Sequence, residues 1–437
     1  MAEFFDKNIE TLPRKELKAL QLERFKRQAR FVYDNVPAYK RKFDAAGVKP
    51  SHIRTWGDVK SIPFTTKDDF RDNYPYGLFA APMDKIARIH ASSGTTGKAT
   101  VVGYTARDLD CWSDCVARFL VSSGASPRDV FQIAFGYGLF TGAFGLHAGC
   151  EKIGAAVIPI SSGNTERQVK MMIDLKSTAL VSTPSYALYI AETLYQSGRG
   201  KEDISLRLGF FGAEASTPEM HAILAGRLGI RTNDNYGLSE VMGPGVSGEC
   251  AEKMGMHIAE DHILAEIVDP DTLEPLPDGE RGELVLTTLT KEGIPVLRYR
   301  TKDITRLHCE PCPCGRTHAR MEKVTGRTDD MLIIRGVNVF PSQIESVLVN
   351  MPEVGAHYEI TVGRENLTDR LSVKVEVSDG NLLLDFRRLE DLKKRVRGKL
   401  RSELQLDVDV KLVEPLSLKR FEGKAQRVID KREEGKR

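Results

Sequence analysis

Between Ile89 and Leu289, short apolar runs alternate with stretches of helical periodicity, and this alternation limits the folds open to the chain. The apolar runs predict strands at residues 131–135, 155–160, 179–182, 208–211 and 283–289. The helical stretches fall between them, at residues 108–122, 166–176, 186–197 and 218–228. Strands that alternate with helices form α/β architectures whose sheets are largely parallel. We therefore predict such a fold here, preceded by an amphipathic helix over residues 12–39.

The pattern changes near Asp329, and a chain of 437 residues is long enough for two or three domains. Beyond this point we predict a strand at 331–334, a helix at 342–350 and two strands of alternating polarity, at 371–377 and 408–412. A helix between those two strands carries Leu389, Leu392, Val396 and Leu400 on one face. We therefore predict a large α/β domain over residues 1–328 with several sheets, and a small α+β domain over residues 329–437 that ends in a basic, exposed tail.

The overall charge is close to zero, with 63 Lys and Arg against 61 Asp and Glu. A net charge of +2 gives no reason to expect a nucleic-acid or anionic-membrane partner. No apolar stretch approaches the roughly 20 residues of a membrane span, and the charged N-terminus has no secretory pattern. These features predict a cytoplasmic protein with seven reduced cysteines. The oligomeric state stays open, a homodimer included.

A glycine- and hydroxyl-rich run at residues 92–98 predicts a phosphate-binding loop. It consists of Ser92, Ser93, Gly94, Thr95, Thr96, Gly97 and Lys98. Backbone N–H groups, hydroxyls and an ammonium can together surround a polyphosphate. The run is not a Walker A loop, because Ala99 follows the lysine where that motif has the Mg²⁺-binding hydroxyl.

Several further motifs follow this loop in a fixed order. They are Gly212-Ala213-Glu214, the run from Asp234 to Glu240, the run from Tyr299 to Asp303, the run from Gly326 to Met331, and Gly423-Lys424. In this order they resemble the adenylate-forming superfamily of acyl-CoA synthetases, adenylation domains and luciferases, over essentially the whole chain. The runs TVVGYT, FGYGLFTGAFG, VIPISSGNTE, TKDITRL, CPCGRTH and DDMLIIRGVNVFPSQIE resemble its phenylacetate–CoA ligase family.

The resemblance implies that ATP activates a carboxylic acid to an acyl-adenylate, whose acyl group then passes to coenzyme A. It assigns the β- and γ-phosphates to Lys98 and the loop hydroxyls, and Mg²⁺ to Glu240, since Mg²⁺ prefers carboxylate and phosphate oxygens. It assigns the ribose hydroxyls to Asp303 and ribose or phosphate to Arg327. Gly212, Ala213 and Glu214 would line the adenine slot, with Tyr236 as a stacking partner. The nucleotide-binding residues would also include Asp234, Asn235 and Gly237.

The resemblance also implies that the small domain rotates between the two half-reactions. Lys424 would reach the carboxylate and the α-phosphate during adenylation and withdraw for thioester formation. Asp329 matches the hinge position, and Gly336 lies in the loop that would line the pantetheine tunnel of CoA.

The acyl pocket is predicted at residues 135–140, where aromatic residues alternate with glycines. Tyr137 and Phe140 would contact a flat aromatic acid such as phenylacetate, although core packing explains such aromatic residues as well. An enzyme of the same fold that adenylates another acceptor, similar to the coenzyme F390 synthetases, is the near alternative. A zinc-ribbon module that binds nucleic acid is the alternative from a different class, and the near-neutral charge disfavours it.

Clustered cysteines with a distant Cys/His pair are typical of a closed zinc site. Cys309, Cys312 and Cys314 precede His318 in a Pro/Gly-rich loop, and Cys250 and His257 lie upstream. The resemblance implies a structural zinc with three cysteines and one histidine. Our first choice is Cys250, His257, Cys312 and Cys314, with Cys309 in place of one of the last two as the alternative. Unliganded loop thiols are the other interpretation.

Overall fold

The structure is a computed structural model that describes residues 3–92, 99–214, 216–328, 332–335, 337–365, 368–422 and 424–432. Its α-helices, in chain order, are α1 Lys7–Glu10, α2 Arg14–Asn35, α3 Pro37–Ala45, α4 Trp56–Val59, α5 Lys67–Asp72, α6 Ala106–Ser122, α7 Gly142–Lys152, α8 Thr165–Asp174, α9 Pro184–Gln196, α10 Pro218–Leu228, α11 Pro341–Val349 and α12 Phe386–Leu404. Short 3₁₀ turns lie at Pro50–His52, Met83–Lys85, Lys201–Asp203 and Gly380–Leu384.

The strands of the larger part of the chain, in order, are β1 Ile86–Ala91, β2 Val101–Thr105, β3 Val130–Ile133, β4 Ala156–Ile158, β5 Ala179–Ser182, β6 Leu208–Phe211, β7 Arg231–Leu238, β8 Gly243–Glu249, β9 Met256–Ile258, β10 Ile263–Val268, β11 Arg281–Thr288, β12 Tyr299–His308, β13 Arg320–Met321 and β14 Gly326–Arg327. Those of the C-terminal part are β15 Leu332–Ile334, β16 Val337–Val339, β17 Val354–Glu365, β18 Thr368–Val377, β19 Asp409–Val413 and β20 Val428–Asp430.

One long sheet organises the larger part. Its strand order is β10-β11-β12-β13-β9-β8-β7-β6-β5-β3-β4, with β14 beside β12. The pairs among β4, β3, β5, β6 and β7 are parallel, whereas the pairs from β7 to β10 are antiparallel. The α/β class is therefore confirmed. The prediction of a largely parallel sheet is wrong for the part of the sheet that runs from β7 to β10.

Local chemistry explains why helices follow the parallel strands. β5 and β6 are buried throughout, as expected for strands covered by helices on both faces. α9 and α10 each begin with a threonine N-cap followed by proline at the first helical position. The Thr183 hydroxyl accepts from the Tyr186 amide at 3.2 Å, and Thr217 does the same for Met220.

The C-terminal part has its own four-stranded sheet, in the order β19-β18-β17-β20, and its own apolar core. Leu392, Val396 and Leu400 of α12 are fully buried against this sheet, as the helical pattern predicts. β17 is a strand that the sequence analysis did not identify. The prediction of a basic, exposed tail is wrong in part, because β20 pairs with β17 and the side chains of Arg420 and Arg427 are largely buried.

The remaining element predictions agree closely with the structure. Three segments match to the residue, namely the strands Ala179–Ser182 and Leu208–Phe211 and the helix Pro218–Leu228. The N-terminal helix is divided into α2 and α3 at Pro37, since proline begins a new helix more readily than it continues one. Within the described residues, no helix is both long and apolar enough to cross a membrane.

Candidate active site and metal site

The carboxyl ends of the parallel strands meet at one edge of the sheet, which is where α/β proteins bind ligands. β6 ends at Phe211 and is followed by Gly212, Ala213 and Glu214, while β7 contains Tyr236 near its end. The predicted nucleotide-binding residues from Gly212 to Glu214 and from Asp234 to Gly237 therefore lie at the ends of two paired strands, β6 and β7.

An antiparallel hairpin carries the predicted phosphate loop. β1 pairs with β2 from Ile86 and Thr105 to Ala91 and Val101. Just beyond that pair, the Ser92 amide donates to the Thr100 carbonyl at 2.9 Å, and the Ser92 hydroxyl accepts from the Thr100 amide at 3.1 Å. Ser92 and Thr100 thus fix the two ends of the loop. Ser93, Gly94, Thr95, Thr96, Gly97 and Lys98 lie outside the described residues.

Three predicted site residues converge although they are far apart in sequence. The Tyr236 hydroxyl donates to one carboxylate oxygen of Asp303 at 2.5 Å, and an Arg327 guanidinium nitrogen lies 3.3 Å from the other. Asp303 and Arg327 face each other in the register of β12 and β14. Burial and the nearby Asp303 carboxylate raise the pKa of Tyr236 well above its ordinary value. Tyr236 therefore stays a neutral donor beside a carboxylate that can accept further hydrogen bonds.

Two glycines of this region have no room for a side chain. A Cβ on Gly212 would lie 2.7 Å from the Asn235 carbonyl oxygen, and one on Gly237 would lie 1.7 Å from that of Gly243. The Asn235 side chain also donates to the Phe211 carbonyl at 2.8 Å. These contacts hold the end of β6 tightly against β7, which forms one wall of the predicted adenine slot.

Asp234 has its own set of partners within the protein. His221 Nε2 lies 3.0 Å from one carboxylate oxygen, and the Lys323 ammonium pairs with the other. Burial opposes its charge, but the hydrogen bond from His221 and the charge of Lys323 hold the pKa of Asp234 below its usual value. The backbone of Asp234, rather than its side chain, is thus the part that can line the slot.

Glu240 lies in a loop that a buried lysine holds in place. The Lys291 ammonium donates to the Val241 carbonyl at 2.8 Å and lies 4.4 Å from the centre of the Tyr104 ring. Burial lowers the pKa of Lys291 to about 8, although Asp108 and Glu240 act in the opposite direction. Lys291 was not predicted as a site residue, since a lone lysine in a loop gives no sequence signal.

The Glu214 carboxylate contacts the segment that bears Lys424. One Glu214 carboxylate oxygen accepts from the Ser185 amide at 2.7 Å, and the other accepts from the Ala425 amide at 3.0 Å. Ala425 follows Lys424 directly, and the Lys424 side chain is exposed. The C-terminal part is therefore docked on the edge of the sheet that carries the other site residues. Asp329 and Gly336 lie outside the described residues.

The predicted acyl-pocket residues differ in their surroundings. Tyr137 is half-buried, with its ring against Phe144 at 5.3 Å and its hydroxyl 2.9 Å from His147 Nδ1. Phe140 is 50% exposed, so core packing does not explain its position. The neighbouring Leu139 carbonyl accepts from the Ala91 amide at 3.0 Å, which ties this loop to the end of β1 beside the phosphate loop.

Four of the predicted metal ligands come together. The ligand atoms of Cys250, His257, Cys312 and Cys314 all lie within 4.8 Å of one another, and the four residues are buried. All seven cysteines belong to the described part of the chain and are free thiols. The Cys250 and Cys312 sulfurs are 3.8 Å apart, and Cys314 Sγ is 3.3 Å from His257 Nε2. Cys309 lies outside the group, with its sulfur 3.9 Å from an Arg14 nitrogen.

The surroundings of this cluster favour a metal over unliganded thiols. The His257 Nδ1 atom is 3.0 Å from the His318 carbonyl oxygen, so it carries the proton and leaves Nε2 free to bind a metal. Two thiolates bound to one tetrahedral zinc at about 2.3 Å lie about 3.8 Å apart. The observed sulfur separation therefore fits a shared zinc ion.

Comparisons with known proteins agree with this geometry. A family model described as "AMP-binding enzyme" matches residues 44–289, and one described as "AMP-binding enzyme C-terminal domain" matches residues 336–432. The chain thus belongs to the AMP-binding enzymes. Within them it groups with the phenylacetate-coenzyme A ligases. The one from Thermus thermophilus is 49% identical over 442 residues, which cover 98% of this chain and 99% of the relative.

Solved structures of 2-hydroxyisobutyryl-CoA ligase share the fold in two arrangements. The postadenylation state in complex with R3-HIB-AMP aligns at 28% identity over 99% of this chain and 93% of that chain, with a TM-score of 0.93. The thioesterification state with 2-HIB-AMP and CoA aligns at 30% identity over 98% of this chain and 93% of that chain, with a TM-score of 0.73. Both structures are of the same ligase, so the lower score reflects a different arrangement of its parts. The present structure is therefore more similar in arrangement to the postadenylation state of that ligase than to its thioesterification state.

Proposed function

We propose that this chain is an AMP-forming ligase that joins phenylacetate, or a related arylacetic acid, to coenzyme A. The observation that carries the proposal is that the chain is 49% identical to a phenylacetate-coenzyme A ligase over nearly its whole length. The reaction has two steps: ATP and the carboxylate form an acyl-adenylate with release of pyrophosphate, and the CoA thiol then displaces AMP. The acid needs no general base, because a carboxylic acid is already ionised at neutral pH.

The residues divide this work according to their chemistry. Asp303, which already accepts from Tyr236, binds the ribose hydroxyls, and Arg327 beside it meets ribose or phosphate. Lys98 and its loop bind the β- and γ-phosphates. Lys424 stabilises the negative charge that develops between the carboxylate and the α-phosphate, and such stabilisation is the largest single contribution in reactions of this type.

Two metal ions belong to the same proposal. Glu240 would hold Mg²⁺, which would supply positive charge for the phosphates of ATP. Cys250, His257, Cys312 and Cys314 would hold a zinc ion that stabilises the fold, since a closed four-ligand site leaves no position for substrate. A cytoplasmic location, where ATP and CoA are available, is also part of the proposal, and a homodimer stays a prediction.

The test is pyrophosphate release and thioester formation, measured with phenylacetate and with acetate, with and without CoA. Burying a benzyl-sized group against Tyr137 and Phe140 contributes roughly 2–3 kcal/mol, so we expect kcat/KM for phenylacetate to be about 30–150-fold higher than for acetate. Equal use of the two acids would contradict the arylacetic assignment. Pyrophosphate release without any thioester product would favour the alternative of another acceptor for the adenylate.

A further inference from the structure

Helix α9 carries acidic and hydroxyl groups on the face that meets the C-terminal part of the chain. Ser185 and Glu192 are seven residues apart, so they lie on the same side of the helix. The Ser185 hydroxyl accepts from an Arg427 guanidinium nitrogen at 2.9 Å. Glu192, two turns further along, binds two residues of the C-terminal part at once.

The Glu192 carboxylate is fully engaged across this contact. One oxygen is 2.9 Å from His357 Nε2, and the other is 3.3 Å from Arg420 Nε. The three side chains are only 11–17% exposed, which strengthens their interaction relative to an ion pair in open water. Burial opposes ionisation, but the His357 hydrogen bond and the Arg420 charge hold the pKa of Glu192 below its usual value.

Arg420 is oriented by its own domain. Its two terminal nitrogens bind the two Glu376 oxygens at 2.7 and 2.8 Å, and Glu376 lies on β18. This bidentate pair is internal to the C-terminal part and leaves the Arg420 Nε–H directed at Glu192. A rotation of the C-terminal part would keep the Glu376 pair and break the Glu192 contact.

The contact lies next to Lys424 in the chain. Arg420 precedes Lys424 by four residues, and Ala425 follows it with its amide bound to Glu214. The segment that bears Lys424 is thus attached to the larger part of the chain on both sides, by Glu192 and by Glu214.

We propose that Glu192 is a positioning residue for the adenylation half-reaction, which acts through Arg420 and His357 to bring Lys424 to the nucleotide. This inference rests on the proposed function. Glu192 touches neither substrate nor nucleotide in this role. It stabilises the docked arrangement of the segment that bears Lys424, and in the proposed mechanism its contacts break before CoA is acylated.

The experiment compares Glu192→Gln with the wild type in the two half-reactions. We expect pyrophosphate release without CoA to fall about two- to fivefold, the scale of one ion pair that is not fully buried. Thioester formation from synthetic acyl-AMP should stay equal or become faster. Glu192→Asp, which keeps the charge, should recover part of the loss. Glu353→Gln, which removes an exposed pair with Arg395 inside the C-terminal part, is the matched control and should change neither rate.

Hydrogen exchange gives a second readout that needs no substrate. In Glu192→Gln, the peptide over residues 419–427 should exchange faster, since its Ala425 amide is protected only in the docked arrangement. Equal loss in both half-reactions, or unchanged rates and unchanged exchange, would overturn the inference. A wild type that makes neither pyrophosphate nor thioester would overturn the proposed function instead, and the exchange comparison would then decide the inference alone.

Discussion

At the scale of single residues, the site is formed by groups that the chain holds far apart in sequence. Tyr236 and Asp303 are 67 residues apart, yet they share a hydrogen bond. The motifs identified each residue, but no periodicity of the sequence predicts their contact. Asp303 lies within β12, where the pairing of β12 with β14 places Arg327 beside it. The residue types were predictable because the chemistry of nucleotide binding requires them, whereas the contact depends on the register of strands.

The contacts of Glu192 with His357 and Arg420 could not be predicted from the sequence. Each is a charged or titratable residue on a helix, a strand or a loop, and such residues are usually solvated. Their burial arises only when two separately folded parts of the chain meet. No local pattern records that event, so the sequence analysis identified Lys424 and Glu214 but not Glu192, His357 or Arg420.

The first prediction at this scale concerns Lys424→Ala. Removing the group that stabilises developing charge should slow acyl-adenylate formation about 10²–10³-fold. Conversion of synthetic acyl-AMP and CoA to thioester should stay near the wild-type rate. The measurements are pyrophosphate release without CoA and thioester formation from the synthetic adenylate. Lys411→Ala, at an exposed position on β19, is the control. If Lys424→Ala slowed both steps alike, the assignment would be wrong.

At the scale of elements, burial explains which strands were predictable. β5 and β6 are continuous apolar runs because helices cover them, and both were predicted to the residue. β8 is also buried throughout, but its sequence is GPGVSGE, which reads as a loop. Its glycines are required by close packing, since a Cβ on Gly248 would lie 2.1 Å from the Phe119 ring. β8 was therefore not predicted, because its composition is typical of turns.

The cluster of Cys250, His257, Cys312 and Cys314 depends on how the elements are arranged, because three separate segments supply its four side chains. Cys250 follows β8, His257 lies on β9, and Cys312 and Cys314 lie in the loop before β13. The N-terminal segment covers that loop, where Glu10 pairs with the buried Arg316 at 2.5 Å. A ligand bound here would connect strands and loop into one cooperative unit.

The second prediction follows from that connection. Purified protein should contain about one zinc per chain, as expected for a closed four-ligand site. Cys314→Ser should lose most of the metal and lower Tm and yield, with a smaller effect on kcat of the surviving folded protein. Metal analysis and thermal denaturation are the measurements. Cys309→Ser, in the same loop but outside the cluster, should keep both metal and Tm. Metal-free wild-type protein of unchanged activity and stability would refute the site.

At the scale of the whole molecule, the proposed function requires one chain to form two active sites in turn. The structure is more similar to the postadenylation state of 2-hydroxyisobutyryl-CoA ligase, with a TM-score of 0.93, than to its thioesterification state, with a TM-score of 0.73. The contacts between the two parts include ion pairs and hydrogen bonds at Ser185, Glu192 and Glu214, and Val349 and Ala356 also pack against an apolar cluster of the larger part. Interfaces that contain many polar contacts are typical of parts that move relative to each other.

The last prediction concerns the segment between the two parts. The resemblance to the family implies that Asp329 is the hinge, so Asp329→Pro should restrict the backbone rotation there, since proline fixes φ near −65°. The variant should still release pyrophosphate without CoA, because in the proposed mechanism the rotation follows that step. Thioester formation from synthetic acyl-AMP should fall at least tenfold, on the scale of a lost conformational step. Asp329→Ala, which lacks the ring, should keep both activities. If Asp329→Pro lost pyrophosphate release but kept thioester formation, Asp329 would not be the hinge of the proposed rotation.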